Sequence, residues 1–183
     1  ETGIWVGTEL GLDFLDYETE KFTHYRESSA TPNGLSSNWI SALAFDPSGN
    51  LWIGTKDAGL NFYDKTKETF KTFKHNEAEA TSISNNRILS ILVDKQDRLW
   101  VGTAHGLNYS ETSGQNFLKF IYDPNDTNSI SDNIIYTIHQ DHSNGIWIGT
   151  KNGLNRYDEK QAKFIRHQHQ YLISNSLTSN NIL

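Results

Sequence analysis

Short apolar runs separated by polar turns alternate along the whole 183-residue chain. The runs are rich in Ile, Val, Thr and aromatic side chains, and they end at Gly, Asn, Asp or Ser. This pattern is typical of β-strands joined by tight turns. No stretch shows the period of an amphipathic helix. The pattern therefore predicts an all-β protein.

One motif, a Trp followed by Val or Ile, then Gly and Thr, recurs four times at spacings of 47, 48 and 47 residues. A Gly-Leu pair follows each copy, and an Asn placed two residues before an Ile leads into the next unit. A period of this length with four short strands per unit predicts β-propeller blades, about four of them, each a four-stranded antiparallel sheet. The repeated Trp and Gly residues are Trp5, Gly7, Trp52, Gly54, Trp100, Gly102, Trp147 and Gly149.

Each unit divides into strands a to d, illustrated by Ile40–Phe45, Leu51–Thr55, 59–64 and 70–73. Strand b has no polar face, so both of its faces must be covered, as they are when blades stack. We therefore interpret its Trp as part of the packing between blades rather than as a platform for sugar stacking. The Gly two residues later lies on the same face, where we expect it to leave room for an aromatic ring of a neighbouring blade.

The repeat divides the chain into residues 1–37, which form an incomplete unit, then 38–85, 86–132 and 133–179, followed by the start of a further strand. The first unit begins directly on strand b. These boundaries predict a piece of a larger propeller. Such a piece exposes apolar blade faces at both ends, which is a hazard for self-association.

The pattern Asp-x-x-Gly-x-Leu/Ile-Trp-Ile/Val-Gly-Thr-x-x-Gly-Leu-x-x-Tyr-Asp resembles the two-component regulator propeller repeat over essentially the whole chain. Departures are local, with Asp97 and Arg98 in one turn and Ser110-Glu111 in place of Tyr-Asp. The resemblance implies the periplasmic sensor region of a hybrid two-component histidine kinase of Bacteroidetes, an inner-membrane protein that relays a signal by phosphorelay. It also implies a glycan or oligosaccharide as ligand, a dimeric parent, and no enzyme activity in this segment.

Composition and charge exclude several kinds of site and partner. The chain has no Cys, so disulfides, thiolate metal sites and Cys nucleophiles are excluded. Its net charge of −6 and the lack of a basic cluster argue against nucleic acid as a partner. No apolar run approaches the roughly 20 residues of a membrane helix. Contact with a membrane is therefore expected only through other parts of the parent protein.

Histidine pairs suggest a metal site but do not complete one. His167 and His169 lie two residues apart, and His139 and His142 flank Asp141. Neither pair has a third ligand at a suitable spacing, so we predict no metal. No cofactor is implied either.

The repeated Asp residues could suggest paired catalytic carboxylates, but they recur at the same position of successive units. Capping of the turn between strands a and b is the better interpretation. No motif of a Ser hydrolase, phosphate-binding loop or zinc protease occurs. The three residues are Asp46, Asp94 and Asp141.

Ligand binding is expected on the loops that differ between units. The d-to-a connections (26–37, 76–85, 123–132 and 168–179) and the b-to-c turns (9–10, 56–58, 104–105 and 151–152) lie on one rim of a propeller, where binding specificity usually resides. Trp39 either contacts ligand or packs against the fold. The candidate ligand-binding residues are Trp39, Lys56, Arg87, His105 and Lys151.

Two other functions remain open at this point. Propeller lyases of the streptogramin-lyase type also carry Trp-containing repeats, but their chemistry needs a His or an acid at the channel mouth, which the sequence does not single out. A propeller that binds another protein, without a small ligand, is the second alternative.

Overall fold

The computed structural model describes residues 2–28, 34–111, 114 and 116–183, and these contain strands and turns but no helix. The first long connection, residues 26–37, was predicted to join the rim, and its residues 29–33 lie outside the described part. The strands are β1 Gly3–Thr8, β2 Gly11–Asp16, β3 Phe22–Tyr25, β4 Ile40–Phe45, β5 Leu51–Thr55, β6 Leu60–Asp64, β7 Thr69–Phe73, β8 Ile88–Val93, β9 Leu99–Thr103, β10 Gly106–Ser110, β11 Leu118–Phe120, β12 Ile135–Gln140, β13 Ile146–Thr150, β14 Gly153–Asp158 and β15 Lys163–His167.

Four antiparallel sheets follow one another along the chain, and we call them blades 1 to 4. Blade 1 has three strands in the order β1-β2-β3, whereas each later blade has four strands in sequence order. Strand a of each four-stranded blade starts with a shift in register, as between Ile40 and Ala42 in blade 2. The all-β blade architecture predicted from the repeat is confirmed.

The hydrophobic core lies between the blades. One buried cluster joins blades 2 and 3, with Trp52 and Leu60 packed against Leu99, Val101 and Phe117. Equivalent clusters join blades 1 and 2 and blades 3 and 4. Since side chains alternate along a strand, each strand b covers the preceding blade with one set of residues and the following blade with the other.

The strand-b Trp residues take part in this packing to different extents. Trp52 and Trp100 are 1% and 0% exposed, and each is covered by the next blade. Trp5 is partly buried against the cluster between blades 1 and 2. Trp147 is half-buried, with its ring centroid 5.7 Å from that of His167.

The Gly that follows each strand-b Trp makes room for an isoleucine, and the expected aromatic ring is not there. A Cβ built on Gly54 would lie 2.7 Å from Ile88 Cγ2, and one built on Gly102 would lie 2.7 Å from Ile135 Cγ2. The isoleucine is the first residue of strand a in the following blade. The expectation was wrong because the large ring near the Gly is the Trp of its own strand. The following blade contributes a branched aliphatic side chain, the isoleucine, to this space.

The repeated Asp residues do cap the turn between strands a and b, as predicted. Asp141 Oδ1 accepts hydrogen bonds from Ser143 N and Gly145 N at 2.7 and 2.8 Å. Its Oδ2 accepts a third bond, from Trp147 Nε1 at 2.7 Å. The pKa of Asp141 is therefore held below its ordinary value, chiefly by the Trp147 indole and then by the turn N–H groups. The same carboxylate thus fixes the turn and orients the Trp.

Candidate ligand-binding rim

The predicted rim consists of the d-to-a connections and the b-to-c turns. Backbone hydrogen bonds join the b-to-c turns to the residues that lie between a d-to-a connection and the following strand a. Lys56 N donates to Trp39 O at 3.0 Å, and Ala104 N donates to Arg87 O at 3.0 Å. Bonds of a second kind tie a turn to the following blade, as where Gly59 N donates to Asn86 O at 2.9 Å. The b-to-c turns of blades 2 to 4 are therefore each bonded both to their own blade and to the segment that follows it.

The Thr that ends each strand b shapes the b-to-c turn, a role that the sequence analysis did not assign. Thr55 Oγ1 donates to Gly59 O at 2.7 Å and accepts from Ala58 N at 3.0 Å. Thr103 makes the same pair of bonds with Gly106 O and His105 N. The presence of Thr in all four copies of the motif was the available signal, because a hydroxyl is the smallest side chain that can donate and accept in a turn.

A buried Asn on strand c joins each of blades 2 to 4 to the loop that precedes it. Asn108 Oδ1 accepts from Ser84 N at 2.8 Å, and Asn108 Nδ2 donates to Ser84 Oγ at 2.9 Å. Asn61 and Asn155 hold loop serines in the same way in blades 2 and 4. These Asn residues were also missed, although they recur two residues after the conserved strand-c Gly. They position the d-to-a loops of the rim on the adjacent blade.

The structure brings two of the five candidate residues together. Trp39 is 44% exposed and Lys56 Nζ lies 4.6 Å from the centroid of its ring. The same ammonium group lies 3.6 Å from Glu9 Oε1, on the b-to-c turn of blade 1. This arrangement presents an aromatic surface beside one positive and one negative charge.

The other three candidates lie on the next two blades, with Arg87 and His105 on blade 3 and Lys151 on blade 4. Arg87, His105 and Lys151 are exposed. Within the described residues no hydrogen bond, ion pair or ring contact links their side chains to Trp39 or Lys56. The structure therefore supports one local cluster, Trp39 with Lys56, and leaves the remaining candidates as individual surface positions.

Clefts occur away from this cluster. One of about 630 Å³ lies between the segment before β4 and the edge strand β7, and its lining includes Leu35, Thr69, Lys71 and Lys74. A second, of about 470 Å³, lies on the outer face of blade 4. None of the five candidates lines either cleft.

The histidine pairs form no metal site in the part of the chain that the structure describes, where no group of three His, Asp or Glu side chains is placed to hold an ion. His169 Nδ1 is 2.6 Å from Leu177 O, within the loop that follows β15. Within the same described residues, no helix is long and apolar enough to cross a membrane.

Three segments, residues 34–57, 82–105 and 129–152, match the family model described as two component regulator propeller. Each segment runs through strands a and b into the b-to-c turn. These three segments therefore match the repeat that the motif predicted. A search of curated proteins by sequence finds no match.

Solved structures share the fold at low sequence identity. The extracellular domain assigned to a hybrid two component system of B. thetaiotaomicron aligns with a TM-score of 0.76 and 21% identity, over 90% of this chain and 22% of that one. Virginiamycin B lyase from Staphylococcus aureus aligns with a TM-score of 0.64 and 14% identity, over 93% of this chain and 53% of that one. The chain thus spans about a fifth and about half of these proteins, and the similarity establishes the propeller fold.

Proposed function

We propose that this chain is a non-catalytic, ligand-sensing part of the periplasmic region of a hybrid two-component histidine kinase, and that its ligand is a glycan or oligosaccharide. The repeats and the fold support the first part of the proposal. The Trp39–Lys56 cluster supports the second part and is the observation on which it depends.

The cluster suits a sugar for chemical reasons. The exposed ring of Trp39 offers a surface on which the apolar face of a pyranose can stack. Lys56 and Glu9 supply a donor and an acceptor for hydroxyl groups at the edge of the ring. At the position of Trp39 the other blades carry Arg87, Ile134 and Asn181, so the aromatic residue is not required by the repeat.

Signal transfer needs a second arrangement of the parent protein. A ligand shifts an equilibrium between two arrangements only if it binds one of them more tightly. In this proposal the parent is a dimer with two arrangements, and a ligand at the rim of the blade stack binds one of them more tightly than the other. The kinase chemistry then belongs to another part of the parent.

The proposal is tested by calorimetric titration of the complete extracytoplasmic region with pools of neutral and acidic oligosaccharides. We expect Trp39→Ala to weaken binding at least roughly tenfold, which corresponds to about 1.4 kcal/mol. The matched control is Phe45→Ala. Phe45 is an exposed aromatic residue at the last position of β4, the strand that begins directly after Trp39.

Equal affinity of the wild type and Trp39→Ala, or an equal loss in Phe45→Ala, would contradict binding at this rim. Binding of a protein but of none of the oligosaccharides would favour the protein-interaction alternative. The similarity to virginiamycin B lyase concerns the fold, and turnover of a streptogramin by the chain would contradict the sensor proposal.

A further inference from the structure

The d-to-a connections that follow blades 2, 3 and 4 fold in the same way. We call them loop 2 (76–85), loop 3 (123–132) and loop 4 (168–179). A four-residue turn near the start of each loop is closed by one backbone hydrogen bond of 3.1 to 3.3 Å, in which Glu79 N donates to Asn76 O, Asp126 N to Asp123 O and Ile173 N to Gln170 O. The three loops can therefore be compared residue by residue.

The last three residues of this turn form the tip of each loop, and only loop 4 of these three has an apolar tip. The tips are 77–79 (Glu-Ala-Glu) in loop 2, 124–126 (Pro-Asn-Asp) in loop 3 and 171–173 (Tyr-Leu-Ile) in loop 4. Tyr171, Leu172 and Ile173 are 85%, 91% and 47% exposed. Loop 4 thus places three consecutive apolar side chains in solvent.

The exposure of this tip belongs to the loop itself. All three tip residues of loop 2 and all three of loop 3 are exposed, although another blade follows each of these loops. Because the loops share their hydrogen bonds, the tip of loop 4 lies at the same place relative to its own blade. A blade that packs on blade 4 as blade 4 packs on blade 3 would therefore leave the tip in solvent.

The turn does not favour the residue at the centre of this tip. Leu172 has a φ of 71°, in the left-handed region that a bulky side chain rarely adopts, whereas Ala78 and Asn125 at the same position have negative φ. Glycine or asparagine suits this conformation better than leucine. The apolar side chain at this position is thus not explained by folding of the loop.

The surroundings of the tip carry no acidic side chain from its own loop. Loop 2 contains two Glu and loop 3 contains three Asp, whereas loop 4 contains neither residue type. The b-to-c turn of blade 4 lies beside loop 4, because Gln168 Nε2 donates to Asn152 O at 2.8 Å. This turn adds the exposed Lys151. The tip can therefore approach a negatively charged surface without repulsion from these two segments.

The size of the tip favours a lipid surface over a folded protein as its partner. Even at about 200 Å² for each side chain, the three offer about 600 Å². Each partner in a stable protein–protein interface buries roughly 800 Å². A bilayer needs no complementary surface, since binding to it grows with the apolar area inserted and with attraction to anionic lipids.

We propose that the tip of loop 4 inserts into the headgroup region of a lipid bilayer, so that this part of blade 4 lies against a membrane surface. The ring of Tyr171 suits the boundary between headgroups and acyl chains, where its hydroxyl stays hydrated. Leu172 and Ile173 supply apolar area, and Lys151 lies close enough to the loop to meet lipid phosphates. Contact with a membrane was expected only through other parts of the parent, and this loop adds one of its own. The Trp39–Lys56 cluster lies on blade 2, at another part of the rim.

The experiment is flotation of the complete extracytoplasmic region with vesicles of mixed phosphatidylcholine and phosphatidylglycerol. We expect the wild type to float with the vesicles. The triple variant Tyr171→Glu, Leu172→Ala and Ile173→Glu gives loop 4 the tip of loop 2, so the turn is retained and vesicle binding should weaken at least roughly tenfold. Leu172→Asn adds no charge and suits the left-handed backbone, and it should weaken binding as well.

The matched control is Phe45→Asn, which removes an exposed apolar side chain at the other end of strand a and should float as the wild type does. Circular dichroism of each variant establishes that it is folded. A wild type that does not float, a triple variant that floats as the wild type does, or an equal loss in Phe45→Asn would overturn the proposal. Self-association of the wild type that the triple variant abolishes, without binding to vesicles, would assign the tip to a second copy instead.

Discussion

Ile88 Cγ2 occupies the space that a side chain at Gly54 would need, since a Cβ built on that glycine would lie 2.7 Å from it. The two residues belong to neighbouring blades and to adjacent copies of the repeat. Their contact fixes how closely strand a of one blade approaches strand b of the preceding blade. The pairs Gly102 with Ile135 and Gly149 with Ile182 repeat it.

Gly54→Ala should lower the free energy of unfolding by about 1–3 kcal/mol, because the added methyl group forces Ile88 away from a tightly packed position. Urea unfolding measures the loss. Gly54→Ala combined with Ile88→Ala should cost less than the sum of the two single losses, since alanine lacks the Cγ2 atom that the new methyl group meets. A single variant as stable as the wild type would show that the blades can separate at no cost.

Trp100→Ala should cost about 3–5 kcal/mol, because the ring is fully buried between blades 3 and 4. Trp147→Ala is the matched comparison at the equivalent position of blade 4. It should cost less, about 1–2 kcal/mol, because only part of the ring is removed from water. Urea unfolding of both variants checks the difference, and equal losses would contradict it.

Asn108→Ala should destabilise the chain by about 1–3 kcal/mol, because it leaves Ser84 N and Val101 O without their buried partner. Ser84→Ala removes only the hydroxyl group and keeps the backbone bond to Asn108, so a smaller loss is expected. Hydrogen exchange of the Ser84 amide gives a local measure. Unchanged protection in Asn108→Ala would contradict the role assigned to this side chain.

The pKa of Asp141 is lowered in the folded protein by the hydrogen bonds from Trp147 and the turn, so its carboxylate stabilises the fold. This contribution is present above the ordinary pKa of aspartate and is lost as the pH falls through the lower folded pKa. Asp141→Asn should therefore be less stable than the wild type near neutral pH, and the difference should shrink in acid. Melting temperatures of both proteins against pH test this, and a difference that grows in acid would contradict it.

Much of the strand pattern could be predicted from the sequence, because local periodicity and turn residues determine it. Ile40–Phe45 was predicted as a strand a and Leu51–Thr55 as a strand b, and both have these bounds in the structure. The prediction of an aromatic ring beside Gly54 was wrong. A sequence shows where a side chain is missing but does not show which residue of another blade fills its place. The roles of Asn108 and Thr103 were missed for the same reason, since their partners become visible only when the loops are positioned.

The candidate site was predictable only in part. The repeat marks Trp39 as a residue that the fold does not require, and exposure of its ring agrees with that. Its proximity to Lys56 depends on the hydrogen bond between the backbones of the two residues. This bond lies at the rim, where strands a and b of blade 2 meet. Arg87 and His105 lie on blade 3 and Lys151 lies on blade 4, whereas Trp39 and Lys56 lie on blade 2, and sequence spacing does not reveal how the blades place them.

The buried Asn on strand c of blades 2 to 4 has a consequence for engineering. Ser84 is covalently part of the connection that leaves blade 2, yet its hydrogen bonds are made with blade 3. A cut placed between this loop and the following strand a would therefore remove from the next sheet a loop that it needs, whereas a cut at the end of strand d keeps the loop with the sheet that holds it. Repeats of this protein are best exchanged as modules that start with the loop and end with strand d, so that each transplanted Asn arrives with its own Ser.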